Sequence, residues 1–136
     1  FKKKQIQSIL YLSKSLIKKY KIKSSNILGH SDIAPFRKKD PGEKFPWKYL
    51  AKLGVGKWHS LSNKILKKNR MKKIRINEEK IFYKSLFKIG YSKKILNKKT
   101  LVSAFQRRYR QDLINGKIDQ ECLLISKNLA KLLNLK

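Results

Sequence analysis

The sequence predicts an α/β portion made mostly of helix and loop with one short strand, followed by a small three-helix domain. Three observations carry this expectation. Apolar residues recur at helical spacing from Lys4 to Tyr20, and again in three stretches after residue 76. All three prolines, Pro35, Pro41 and Pro46, fall between Gly29 and Trp47, which marks an irregular, stiff loop. Between the two regions the chain turns strongly basic, with Lys67, Lys68, Arg70, Lys72, Lys73 and Arg75. The expected division is therefore residues 1–62, a solvated basic linker over 63–76, and a helical domain over 77–136.

The elements follow in order. Ile6, Ile9, Leu10, Leu16, Ile17 and Tyr20 share one face of the first helix, with lysines opposite. Ser24, Ser25 and Asn26 break that helix. Ile27 and Leu28 then read as a short strand that delivers His30 at its end, a common place for active groups in α/β folds. Trp47 to Leu53 reads as a short helix with Gly54 as its cap. Trp47 and Trp58 can edge a small core or stack on a sugar ring, and His59 reads as a surface histidine.

In the tail, Asn77 is a candidate N-cap for a helix to Ile89, with Ile81, Phe82, Leu86 and Ile89 inward and Gly90 after its end. A second helix runs over 98–111 with Leu101, Val102, Phe105 and Tyr109 on one side. The turn Asn115-Gly116-Lys117 leads to Asp119, the N-cap of a last helix through Leu133. Leu123, Leu124, Leu129, Ala130 and Leu133 give that helix its apolar face. A domain of ~60 residues is near the lower limit for folding alone.

Lys and Arg number 36 against 8 Asp and Glu, a formal net charge of +28. Such a balance admits an anionic partner: nucleic acid, an anionic membrane surface or a wall polymer. The lysines are spread along the whole length, which a general drift in composition explains better than a dedicated electrostatic footprint. The basic stretch lacks interleaved aromatics and any nucleic-acid reading motif, so nucleic acid ranks last among these partners. The single cysteine, Cys122, excludes an intramolecular disulfide and sits among leucines as a small buried hydrophobe. No apolar run approaches the ~20 residues a membrane-spanning helix needs.

The loop carries the chemistry. His30 and Asp40 are both acceptable zinc ligands, and a stiff segment ten residues long can fold them around one metal. Lys38 beside them offers positive charge where a tetrahedral intermediate gathers negative charge. Spacing alone leaves open that His30 is a structural, hydrogen-bonded residue.

The whole string, GHSDIAPFRKKDPGEKFPW from Gly29 to Trp47, closely resembles the signature GHSDIAPGRKxDPGPxFPW. That signature surrounds the second zinc histidine of zinc-dependent N-acetylmuramoyl-L-alanine amidases of the type-2, AmpD- and AmiD-like family. The resemblance implies that His30 and Asp40 bind Zn2+ and that Lys38 stabilises the oxyanion. It assigns Asp32 and Arg37 to shaping the loop. Phe45 and Trp47 match the membrane-anchored or periplasmic branch. Phe36 in place of glycine and Glu43 in place of proline depart from the pattern without touching a ligand. A second, looser resemblance links AFQRRYRQDLINGKID, Ala104 to Asp119, to the helical peptidoglycan-binding domain that follows the catalytic domain in such amidases. Tyr91, Tyr109 and Arg108 are then candidate ligand contacts or core residues.

The implied activity is hydrolysis of the N-acetylmuramoyl–L-alanine amide by a zinc-activated water, on peptidoglycan or muropeptides, by a monomer of the cell envelope or periplasm. The family also needs a first zinc histidine and a glutamate base upstream. The chain starts at Phe1 and holds neither His nor Glu before Gly29. It is thus expected to be the C-terminal part of a longer amidase, carrying half a metal site and inactive alone. The alternatives are a non-catalytic basic wall-binding protein and a nucleic-acid-binding protein.

Overall fold

The computed structural model describes residues 1–133, and these form seven α-helices and one 3-10 turn, with no strand among them. The expected strand at Ile27–Leu28 is instead an extended segment without a ladder partner. Ile27 closes the 3-10 turn Ser24–Asn26 at φ −95°, ψ 105°, and its carbonyl accepts from the Arg108 side chain at 3.2 Å. A side chain has taken the place of a neighbouring strand.

Helix α1 (Lys3–Tyr20) begins where the Lys2 amide donates to Gln5 Oε1 at 2.8 Å, and ends at Lys21 in the left-handed conformation. Ile6, Ile9, Leu10 and Ile17 pack on a small cluster of Phe45, Trp47, Leu50 and Val55. Two residues expected on that face do not: Leu16 is 40% exposed and Tyr20 61%. The cluster covers one side of α1 and no residue of α1 is fully buried. Helix α2 (His30–Ile33) and helix α3 (Trp47–Lys52) bracket the proline loop.

The expected linker is structured. Residues 63–69 form α4 (Asn63–Asn69), capped by the Ser62 hydroxyl, with Leu66 buried. Arg70 follows and grips Glu121 with Nε at 2.7 Å and Nη2 at 2.8 Å. The Met71 amide donates to Asp119 Oδ2 at 2.9 Å. Arg70 and the Met71 amide thus hold the start of the last helix, while Lys67, Lys68, Lys72, Lys73 and Arg75 are exposed.

Helices α5 (Ile76–Ile89), α6 (Lys98–Tyr109) and α7 (Gln120–Leu133) surround the larger core of Phe82, Leu86, Leu101, Val102, Phe105, Ile125 and Leu129. Helix α5 starts earlier than expected. Arg75 is the N-cap in place of Asn77, because the Glu78 carboxylate reaches back to the Arg75 amide at 2.7 Å. Ile81 is 43% exposed, since the α5 face that meets α7 is centred on Phe82 and Leu86. The Asn97 side chain caps α6 at the Thr100 amide, and Asp119 Oδ1 caps α7 at the Cys122 amide, both at 2.9 Å. Gln106, fully buried in α6, fixes the α6–α7 turn. Its Oε1 accepts from the Asn115 and Gly116 amides, and its Nε2 donates to the Lys117 carbonyl. Gly116 sits there at φ +68°, against Lys99.

Candidate functional site

The proline loop is closed at its base by a glycine. A Cβ on Gly29 would lie 2.7 Å from Pro41 Cδ and 3.2 Å from the Trp47 ring. Only glycine lets the two ends of the loop meet this closely. Gly29 is also the N-cap of α2, and its amide donates to Asp32 Oδ2 at 2.8 Å. The Ser31 amide donates to the Asp40 carbonyl at 3.0 Å, which brings Asp40 beside the first turn of α2. The Asp40–Pro41 peptide is cis.

This folding juxtaposes the two candidate ligands. His30 Nδ1 and Asp40 Oδ2 lie 2.5 Å apart, with side chains 69% and 57% exposed. The His30 hydrogen bond holds the Asp40 carboxyl below its ordinary value, reinforced by its own backbone amide and by the charges of His30 and Lys38. Lys38 itself is exposed, on a turn whose amide donates to the Ala34 carbonyl at 2.9 Å. The sequence-predicted trio thus sits on one open surface of the loop. An imidazole nitrogen and an ionised carboxylate are donors that zinc accepts. Among the described residues, no group of three or more His, Cys, Asp or Glu side chains is placed to hold a metal.

Asp32 is the loop's buried anchor. Its Oδ1 accepts from the Tyr91 hydroxyl at 3.0 Å, and its Oδ2 from Arg108 Nη1 at 2.9 Å as well as from Gly29. Arg108 is 2% exposed and lays its guanidinium over the Trp47 ring, 3.3 Å from the centroid. Burial, with the neighbouring Asp32 charge, pushes the Tyr91 hydroxyl well above its ordinary value, so it stays a donor. Tyr91, Tyr109 and Arg108 are all buried, and serve the interior rather than a ligand surface. Gln111 adds a further tie, donating to the Phe45 carbonyl at 2.8 Å. Phe36, the departure from glycine, packs on the helical core. No local sequence signal announces this network, because Tyr91 and Arg108 lie 59 and 76 positions from Asp32.

His59 is buried at 8% exposure, contrary to the surface position expected for it. It follows Trp58, whose ring lies 5.1 Å from its own. Desolvation, and then the charge of Lys48, lower its pKa to about 4. It lies apart from the His30–Asp40 pair, in a cleft between α4 and the segment after α6.

No family model matches the chain. Among curated proteins, the N-acetylmuramoyl-L-alanine amidase AmiD of Escherichia coli (strain K12) is 34% identical over 136 residues, spanning 96% of this chain and 49% of that protein. The 1,6-anhydro-N-acetylmuramyl-L-alanine amidase AmpD of Enterobacter cloacae is 46% identical over 43 residues, 32% of this chain and 23% of that protein. Among solved structures, AmiD from E. coli in complex with the substrate anhydro-N-acetylmuramic acid-L-Ala-D-γ-Glu-L-Lys matches with a TM-score of 0.83 at 31% identity. That match covers 100% of this chain and 55% of the other. AmpDH3 from Pseudomonas aeruginosa matches with a TM-score of 0.80 at 27% identity, over 97% of this chain and 54% of the other. The chain spans about half the length of AmiD and of these solved chains. The loop, the fold and these likenesses agree: the chain is a homologue of the AmiD- and AmpD-type N-acetylmuramoyl-L-alanine amidases.

Proposed function

We propose that the whole protein hydrolyses the amide joining the lactyl group of N-acetylmuramic acid to L-alanine, and that this chain supplies one half of its zinc site. The observation that carries the reading is the approach of His30 Nδ1 to Asp40 Oδ2 at 2.5 Å on an open surface. Zinc in such a site lowers the pKa of a coordinated water to about 7 and polarises a carbonyl. His30 offers a ring nitrogen. Asp40 offers a carboxylate, which is ionised at neutral pH, so no proton has to leave it. Lys38 is assigned to the oxyanion, where a fixed positive charge lowers the barrier. A catalytic zinc takes three protein ligands and needs a general base nearby. In this reading the third ligand and the base lie in chain outside these 136 residues.

The substrate class is peptidoglycan or its muropeptides, and the place of action is the cell envelope. The E. coli relative was solved with an anhydromuramyl peptide described as its substrate, which supports this class. Residues 77–136 are assigned to a peptidoglycan-binding-like helical domain. The resemblance of the stretch from Ala104 to Asp119 to that domain is what supports the assignment.

The test is muropeptide hydrolysis with Zn2+, read by mass spectrometry. Two proteins are compared: this chain, and one extended upstream to the length of the AmiD relative. The extended protein is expected to cleave and the chain alone to be inert. His30→Ala and Asp40→Ala are expected to abolish cleavage, and Lys38→Ala to lower kcat by about 10²–10³-fold. Turnover by the 136-residue chain alone, or full activity in His30→Ala, would overturn the proposal.

A further inference from the structure

We propose that Arg108 and Tyr91 are positioning residues for the His30–Asp40 pair, so that the C-terminal helices are a built-in support of the loop. What the pair holds rests on the zinc reading above. The mechanical claim rests on the loop's own contacts.

The backbone on both sides of His30 is tied down. On one side the Gly29 amide donates to Asp32; on the other the Ser31 amide donates to the Asp40 carbonyl. Asp32 is in turn held by two groups from different elements. Tyr91 follows the end of α5, and Arg108 lies in the last turn of α6. All three side chains are under 10% exposed. A buried carboxylate is tolerated only while it is paired and hydrogen-bonded, so losing a partner forces the loop to shift and seek water. Arg108 also fixes the two flanks of the loop, through the Ile27 carbonyl and the Trp47 ring. Arg108 and Tyr91 thus supply the buried side-chain donors to Asp32 from the helical core, beside the packing of Phe36 and the Gln111 bond to the Phe45 carbonyl. Groups that hold a ligand in place from behind commonly change metal affinity 10–100-fold when altered.

The experiment uses the whole 136-residue chain. Zn2+ alone is titrated in while the His30 and Asp40 NMR signals are followed. Hydrogen exchange at the Ser31 amide and the thermal midpoint are read in parallel. The variants are Arg108→Lys, Tyr91→Phe, and the control Ile125→Ala, which opens a cavity in the helical core at a fully buried site. Arg108→Lys is expected to weaken zinc binding about tenfold or more and to speed exchange at Ser31. Tyr91→Phe, which loses one hydroxyl and keeps the ring, is expected to shift both readings the same way by less. Ile125→Ala is expected to leave both readings at wild-type values while lowering the thermal midpoint. Wild-type zinc affinity and Ser31 protection in Arg108→Lys and Tyr91→Phe would overturn the proposal. So would equal changes in Ile125→Ala. If the wild-type chain takes up no zinc, the metal reading fails, and exchange at Ser31 decides the positioning claim by itself.

Discussion

Lowering the pH from 7.5 to 5 should weaken this fold chiefly through His59. The ring is 8% exposed. Its Nδ1 is buried without a hydrogen-bond partner. Lys48, Lys67, Arg70 and Arg110 line the cleft it faces, with Asp112 and Glu121 engaged by Arg70. Protonation would add a cation to that crowd, and burial with Lys48 brings the pKa from 6.5 to about 4. A depressed folded value means the unfolded chain binds the proton first. The stabilisation is complete above pH 6.5 and drains away as the pH falls towards 4. Between pH 7.5 and pH 5 a shift of that size costs about 2 kcal/mol. With a urea slope of about 2 kcal/mol/M, the midpoint should fall by about 1 M. Asp40 and Glu78 are also held below their ordinary values, and their contributions are lost only at lower pH, as those carboxylates protonate. Urea denaturation at the two pH values, on the wild type and His59→Gln, reads the effect. The variant should lose most of the pH dependence. An unchanged wild-type midpoint, or an equal fall in His59→Gln, would refute the reasoning.

Three further outcomes are expected. Gly29→Ala drives a methyl into Pro41 and Trp47 and should cost about 1–3 kcal/mol in chemical denaturation, with His30 and Asp40 shifted in NMR spectra. Gln106→Ala orphans the amides of Asn115 and Gly116 and the Lys117 carbonyl, and should cost about 2–4 kcal/mol. A Gln106→Ala midpoint equal to wild type would sink the turn-lock argument. Cys122 is fully buried, and burial pushes its thiol up to about 12. A thiol reagent at pH 8 should therefore label it only at the rate of unfolding, a rate that urea accelerates.

The helices were legible because they are signalled locally. The apolar spacing of α5, α6 and α7, with Asp119 and Gly90 as end signals, follows from short-range rules of capping and periodicity. The loop was legible for a different reason: spacing allowed His30 and Asp40 to meet, as they do, but it was the resemblance of the whole string to the amidase signature that singled out these two and Lys38. What the sequence concealed depends on distant partners. The strand expected at Ile27–Leu28 became a lone extended segment because its carbonyl partner is Arg108. Lys67, Lys68, Lys72 and Lys73 are exposed as expected, but Arg70 is drawn out of solvent by Glu121, a partner 51 positions later. His59 reads as polar by residue type, yet Trp58 carries it inward. Tyr91 and Arg108 had the chemistry of ligand contacts, and only their burial beside Asp32 shows otherwise.

The central claim is that the imidazole at position 30 and the carboxylate at position 40 grip one metal together. The most direct measurement is a Zn2+ titration of this chain, following both side chains by NMR in the wild type, His30→Ala and Asp40→Ala. The account predicts that both signals move together and saturate, that either substitution abolishes the response of the remaining partner, and that His59 stays still. Independent movement of the two, or a response centred on His59, would contradict it.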